Sequence, residues 1–145
     1  MVAYSFNAMF VAQVEAGVKR QTVRAHRKRH ARVGEPIQLY QAQRTKWCRK
    51  IVDPDPICTN ITPIDINVTE RGHLISMISL DGMKLGLAAQ MEFAKKDGFD
   101  PSMHPPEAGN YISTTTPLFL MGQYWLESHG AGLFHMVVIE WEPQS

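Results

Sequence analysis

The stretch that most limits the fold is "ICTNITPIDINVTE", residues 57 to 70, followed after a short break by "HLISMISL", residues 73 to 80. Both are rich in Ile, Val and Thr, and their apolar residues alternate with polar ones, the period of a strand with one buried face. Both are read as strands of one mainly antiparallel sheet. "DGM" at 81 to 83 is a tight-turn signal that sends the chain back again. Pro63, inside the first run, donates no backbone N–H, and so places that strand at an edge or a bulge.

The other segments fit around this sheet. "AYSF" reads as a first strand, "MFVAQVEAG" as a short helix that Gly17 ends in a left-handed cap, and "RQTVRAH" as a strand with Thr22 and Arg24 on one face. "RVGEPIQLY" and "WCRKIV" read as two more strands. From Lys84 the pattern becomes helical, with Leu87, Met91 and Ala94 at i, i+4, i+7 and Gly98 closing the helix. "GFDPSMHPPEAGN" is a loop. In "TPLFLMGQYWLESHG", Thr116 is an N-cap, Pro117 takes the first helical position and Gly130 lies past the end. "LFHMVVIEWE" is the closing strand. The expected class is α+β: about six mainly antiparallel strands, closed into a small barrel that leaves no edges, with about three helices. With 145 residues and no linker or repeat, residues 1–145 are expected to form a single domain.

Charge is strongly polarised along the chain. Residues 19 to 50 hold 11 of the 15 Lys and Arg against one acid, Glu35. Such a segment is the footprint of a polyanion partner, or else a solvated face balanced by the acidic remainder. The apolar runs are too short for the roughly 20 residues of a membrane span, and the first residues carry no basic n-region or small-residue cleavage site. A cytoplasmic protein with Cys48 and Cys58 as reduced thiols and no membrane partner is the expectation. His26 and His30 are spaced i, i+4 but match no zinc pattern, so neither metal nor cofactor is expected. Met77, Met83, Met91 and Trp125 read as core filling.

The basic segment opens with "GVKRQTVR", residues 17 to 24, in which cations flank a threonine. A threonine hydroxyl becomes a nucleophile once a neighbouring base takes its proton, and a lysine serves when burial or nearby cations favour its neutral form. Alternatively, Lys19 and Arg24 contact phosphate while Thr22 packs in a strand.

A helix ending in "AG", then "VKRQTVR", "VGEPIQLYQAQRTK", "FAKKDGF" and a closing "VVIEW" together resemble, in order and over nearly the whole chain, the ASCH domain of the PUA-like β-barrel proteins. The resemblance implies a cytoplasmic RNA- or nucleoside-directed role of the kind found in small stand-alone bacterial and phage proteins. One branch of the family hydrolyses the acetyl amide of N4-acetylcytidine, and another cuts single-stranded RNA. Carried over residue by residue, the hydrolase set falls on Lys19 as base, Thr22 as nucleophile and Asp97 as the carboxylate. The family has Glu at that last position. Asp is one methylene shorter, a deficit of about 1.5 Å, and a misplacement near 1 Å slows a reaction about a hundredfold. Arg20, Arg24, Arg27, Tyr40, Arg44 and Lys46 are the candidate contacts to RNA, nucleoside or nucleotide. In the ribonuclease reading, Tyr40 and Lys46 act in proton transfer and phosphate stabilisation. An aromatic among cations also suits base stacking without chemistry.

Overall fold

A computed structural model describes residues 2–103 and 115–144. Its elements are β1 (Val2–Phe6), α1 (Ala8–Glu15), β2 (Gln21–Ala25), β3 (Ile37–Gln41), β4 (Arg49–Lys50), β5 (Ile57–Val68), β6 (Ile75–Leu80), β7 (Met83–Lys84), α2 (Leu87–Lys96), a 3-10 turn (Pro101–Met103), α3 (Pro117–His129) and β8 (Gly132–Glu142). The protein is α+β, as its sequence predicts. Among the described residues the strands form two sheets, ordered β1-β3-β4 and β2-β8-β5-β6-β7. Each order has two ends, so the expected barrel closure is corrected to open sheets.

The chain divides into two compact units, Met1–Thr62 with Val137–Ser145, and Pro63–Met136. In the first, β1 runs parallel to β3, with Val2 opposite Ile37 and Phe6 opposite Gln41. The parallel pair is compatible with a mainly antiparallel expectation: α1 and β2 lie between the two strands and supply the crossover that a parallel pair needs. The Asn7 side chain caps α1 by accepting from Met9 N at 3.1 Å. Gly17 leaves that helix at φ 74°, and Val18 N and Lys19 N both bond the Gln13 carbonyl, at 2.9 and 3.1 Å. This turn aims the chain into β2. The core here sets Val2, Tyr4 and Phe6 of β1 against Ile37 and Leu39 of β3, with the Trp141 ring edge-on to Phe6 at 5.9 Å. "WCRKIV" pairs over only two residues, Tyr40 with Lys50 and Gln41 with Arg49.

In the second unit β5 and β6 pair antiparallel, Ile64 opposite Leu80 and Ile66 opposite Ile78, placing three of those side chains in the core. Asp81 and Gly82, at φ 50° and 83°, make the two-residue turn into β7. Helix α2 therefore starts three residues later than the sequence predicts, since Lys84 belongs to β7. Its buried face is also rotated. Gln90, Phe93 and Ala94 are buried while Leu87 is 54% exposed. Apolar periodicity missed this face because it carries a glutamine, whose Nε2 donates to the Leu85 carbonyl at 3.0 Å. Thr116 caps α3 as predicted, its Oγ1 accepting from Phe119 N at 3.1 Å.

Helix α3 carries a tight approach at Gly122. A Cβ there would lie 2.5 Å from Leu74 Cβ and 2.7 Å from the His73 carbonyl oxygen, atoms that cannot swing away. Gly122→Ala is expected to destabilise the protein by about 1–3 kcal/mol through overpacking, despite alanine's helix preference of about 1 kcal/mol. A urea midpoint no lower than that of the unmodified protein would contradict the close packing.

Candidate functional site

In the first unit, the turn after α1 delivers Lys19, and β2 delivers Gln21, Thr22 and Arg24. Lys19 is 3% exposed and Thr22 5%. The lysine Nζ lies 4.8 Å from the centroid of the Phe10 ring, a cation–π distance. The Arg24 Nε donates to Thr22 Oγ1 at 3.0 Å, bringing together the two side chains that the period of β2 places on one face. A guanidinium on the hydroxyl oxygen stabilises negative charge developing there and leaves the hydroxyl proton for another acceptor. Gln21, 5% exposed, was missed by sequence reasoning; a neutral amide in a strand carries no signal of burial.

Arg24 and Arg27 also serve the sheet. Nη2 of Arg24 donates to the Ser5 carbonyl at 2.6 Å, and Nη2 of Arg27 to the Ala3 carbonyl at 3.3 Å, both along β1, which ends its sheet. The Arg27 guanidinium lies 4.6 Å from the Tyr4 ring centroid, and that of Arg24 lies 5.0 Å from the Phe6 ring. Arg20 donates to the Gly17 carbonyl at 2.8 Å and pairs with Glu142 at 2.5 Å. Arg29 pairs with Glu35, and Arg49 with Glu15 at 3.5 Å. Half of the basic segment is thus tied to the protein's own carbonyls and carboxylates.

Other cations have no such partner. Lys28, Arg32, Arg44 and Lys46 are exposed, and among the described residues no carboxylate lies within ion-pair distance of them. Tyr40 is half-buried on β3 between Ser5 and Lys50, and the Lys50 ammonium pairs with Asp55 at 2.9 Å. Arg44 and Lys46 lie in the loop from β3 to β4 beside Trp47, which is 72% exposed. Sequence reasoning placed Trp47 inside a strand and so overlooked it.

Asp97 lies in the second unit. It caps the C-terminus of α2 at φ −78° with its N–H on the Phe93 carbonyl, and its side chain is 4% exposed. An anion at a helix C-terminus opposes the macrodipole by about 0.3–1 kcal/mol, so neither helix propensity nor hydropathy accounts for a buried aspartate there.

Two histidines, His30 and His129, play structural parts. His30 Nε2 donates to the Ala25 carbonyl at 2.9 Å, so the neutral ring offers Nδ1 to the Tyr4 hydroxyl at 3.0 Å, while the tyrosine oxygen accepts from Ala31 N at 3.1 Å. Burial lowers the His30 pKa below 6.5, aided by the nearby Arg27, His26 and Arg24 charges and opposed by the Ala25 carbonyl. Burial also lowers that of His129, whose ring stacks on Trp125 at 4.4 Å. As pH falls through 6.5 the unfolded chain takes up protons that the folded protein refuses, so their stabilisation is complete above 6.5 and lost below it. Unfolding free energy is expected to drop between pH 7.5 and 5.5, and His30→Phe to flatten that drop. A flat profile in the unmodified protein would contradict the neutral His30 bridge.

Among the described residues no group of three or more His, Cys, Asp or Glu side chains converges on a point that could hold a metal ion. Cys48 is an exposed free thiol and Cys58 a buried one, whose pKa burial raises. No helix among the described residues is long and apolar enough to cross a membrane. Comparison of the chain with family models, with curated proteins and with solved structures found no match in any of the three.

Proposed function

We propose that this protein is an ASCH-like domain of the PUA-like class that hydrolyses an acylated cytidine-type base, with Thr22 as nucleophile and Lys19 as its base. The burial of Lys19 and Thr22, to 3% and 5% exposure, with a guanidinium on the threonine hydroxyl, carries the reading. A lysine acts as a general base in its neutral form. In this reaction Thr22 Oγ1 bonds the acyl carbon while its proton passes to the Lys19 amine. The C–N bond then breaks and the departing cytosine amine takes up a proton. Water cleaves the resulting threonine ester and releases the carboxylic acid.

The exposed Lys28, Arg32, Arg44 and Lys46 favour a base carried in RNA over a free nucleoside, because a lone nucleoside has no row of phosphates to occupy them. A single-strand ribonuclease or a non-catalytic RNA-binding module would use the same surface. Mass spectrometry of N4-acetylcytidine, its nucleotides and an acetylated oligoribonucleotide, each incubated with the protein, tests the reading. Loss of the acetyl mass supports the hydrolase, chain cleavage supports the ribonuclease, and intact material leaves a binding module.

A further inference from the structure

The loop from β3 to β4 is built rather than loose. Ala42 and Arg44 both take left-handed φ values, 52° and 69°. Thr45 then ties the loop: its N–H and Oγ1 both donate to the Ala42 carbonyl, at 3.2 and 2.7 Å, while its Oγ1 and carbonyl accept from Trp47 N and Cys48 N, at 3.1 and 3.2 Å. Arg49, just beyond, is anchored by Glu15 and by Gln41 Oε1 at 3.3 Å. Left-handed backbone at two non-glycine residues is strained, and the Thr45 bonds hold that backbone in place beneath Trp47.

The indole so presented is 72% exposed, whereas Trp125 and Trp141 are each 3% exposed. Leaving so large an apolar ring in water forfeits burial that the other two tryptophans obtain. Lys46 Nζ sits 4.9 Å from the Trp47 ring centroid, and neither Lys46 nor Arg44 has a carboxylate within ion-pair distance among the described residues. An aromatic face flanked by unneutralised cations complements a ligand with flat rings joined by anions.

We infer that this loop is a stacking platform for single-stranded nucleic acid, with Trp47 stacking on an unpaired base and Arg44 and Lys46 contacting the adjoining phosphates. The inference rests on the nucleic-acid part of the reading above and extends it to a strand that continues beyond the reacting base. A duplex satisfies it poorly, because base faces inside a helix are already stacked and closed to an indole.

The test uses the full chain and its tryptophan fluorescence, in which Trp47 is the water-exposed contributor among the three. A 12-nucleotide oligouridylate is expected to quench this emission. Trp47→Ala should weaken binding about 5- to 150-fold, the span of one lost base–aromatic stack, and Trp47→Phe should restore most of it. Lys46→Ala should lower the salt slope of log K by about 0.7, one phosphate contact on a single strand. The platform is overturned by equal affinity of Trp47→Ala and the unmodified protein, by equal affinity for a 12-base-pair duplex, or by equal quenching by polyglutamate, which would make the surface an acidic-peptide site. Self-association that Trp47→Ala abolishes, with emission unmoved by oligouridylate, overturns it too by making a second copy the occupant. Oligouridylate binding with Trp47 emission unmoved removes the platform and leaves the nucleic-acid reading standing; no oligonucleotide binding at all removes both.

Discussion

Thr22→Ala is expected to abolish turnover of an N4-acylated cytidine, a loss of about 10⁴-fold or more as for other covalent nucleophiles, while substrate affinity changes little. The hydroxyl acts in the transition state, so its removal falls on kcat and spares ground-state binding. Thr22→Ser keeps the oxygen on which Arg24 donates at 3.0 Å and should retain measurable rate. Lys19→Met keeps the volume of a side chain only 3% exposed, separating loss of the base from loss of packing. It should fall as far as Thr22→Ala, and the double variant no further, because groups that act as one unit are not additive. A protein that binds the nucleoside, never turns it over, and answers all three substitutions with changes in affinity alone would be a reader of the base and no enzyme.

The second large effect lies in salt. If Lys28, Arg32, Arg44 and Lys46, exposed cations of the basic segment for which no carboxylate lies within ion-pair distance among the described residues, are the phosphate contacts, single-stranded RNA binding should carry a slope of log K near −2.8, about 0.7 for each of four contacts. Raising salt from 50 to 200 mM then weakens binding about 50-fold. Alanine at all four positions should remove most of that slope. Arg29 and Arg49, already paired with Glu35 and Glu15, should contribute little when replaced. A slope near zero in the unmodified protein would remove polynucleotide as the partner.

The sequence was most readable where its rules are local. Gly17 at the end of α1, Thr116 and Gly130 around α3, and Asp81 with Gly82 between β6 and β7 each act locally, and each element ends where they dictate. The parallel pairing of β1 with β3 was hidden because it depends on the path of 30 intervening residues, not on any residue within either strand. Burial of polar groups was the second blind spot. Gln21, Gln90 and Asp97 are buried against their hydropathy, and only packed neighbours decide that. Within the candidate site, the period of β2 put Thr22 beside Arg24, but nothing local distinguished a guanidinium bound to carbonyls from one left for a ligand. Trp47 escaped because "WCRKIV" reads as a strand from its first residue, whereas the loop that Ala42 and Arg44 turn runs on through Trp47 and pairing begins only at Arg49.

The two arginines on the Ala3 and Ser5 carbonyls bear on how molecules of this protein meet one another. A terminal strand with bare acceptors is a template on which a strand from another chain can add, the first step of polymerisation. With guanidinium groups seated on those acceptors at 3.3 and 2.6 Å, an incoming strand meets fixed positive charge and finds its bonding sites taken. Residues that look from the sequence like pure ligand contacts are therefore also a guard on colloidal behaviour. An arginine scan that scored Arg24 and Arg27 by binding alone would count clumped protein as lost affinity.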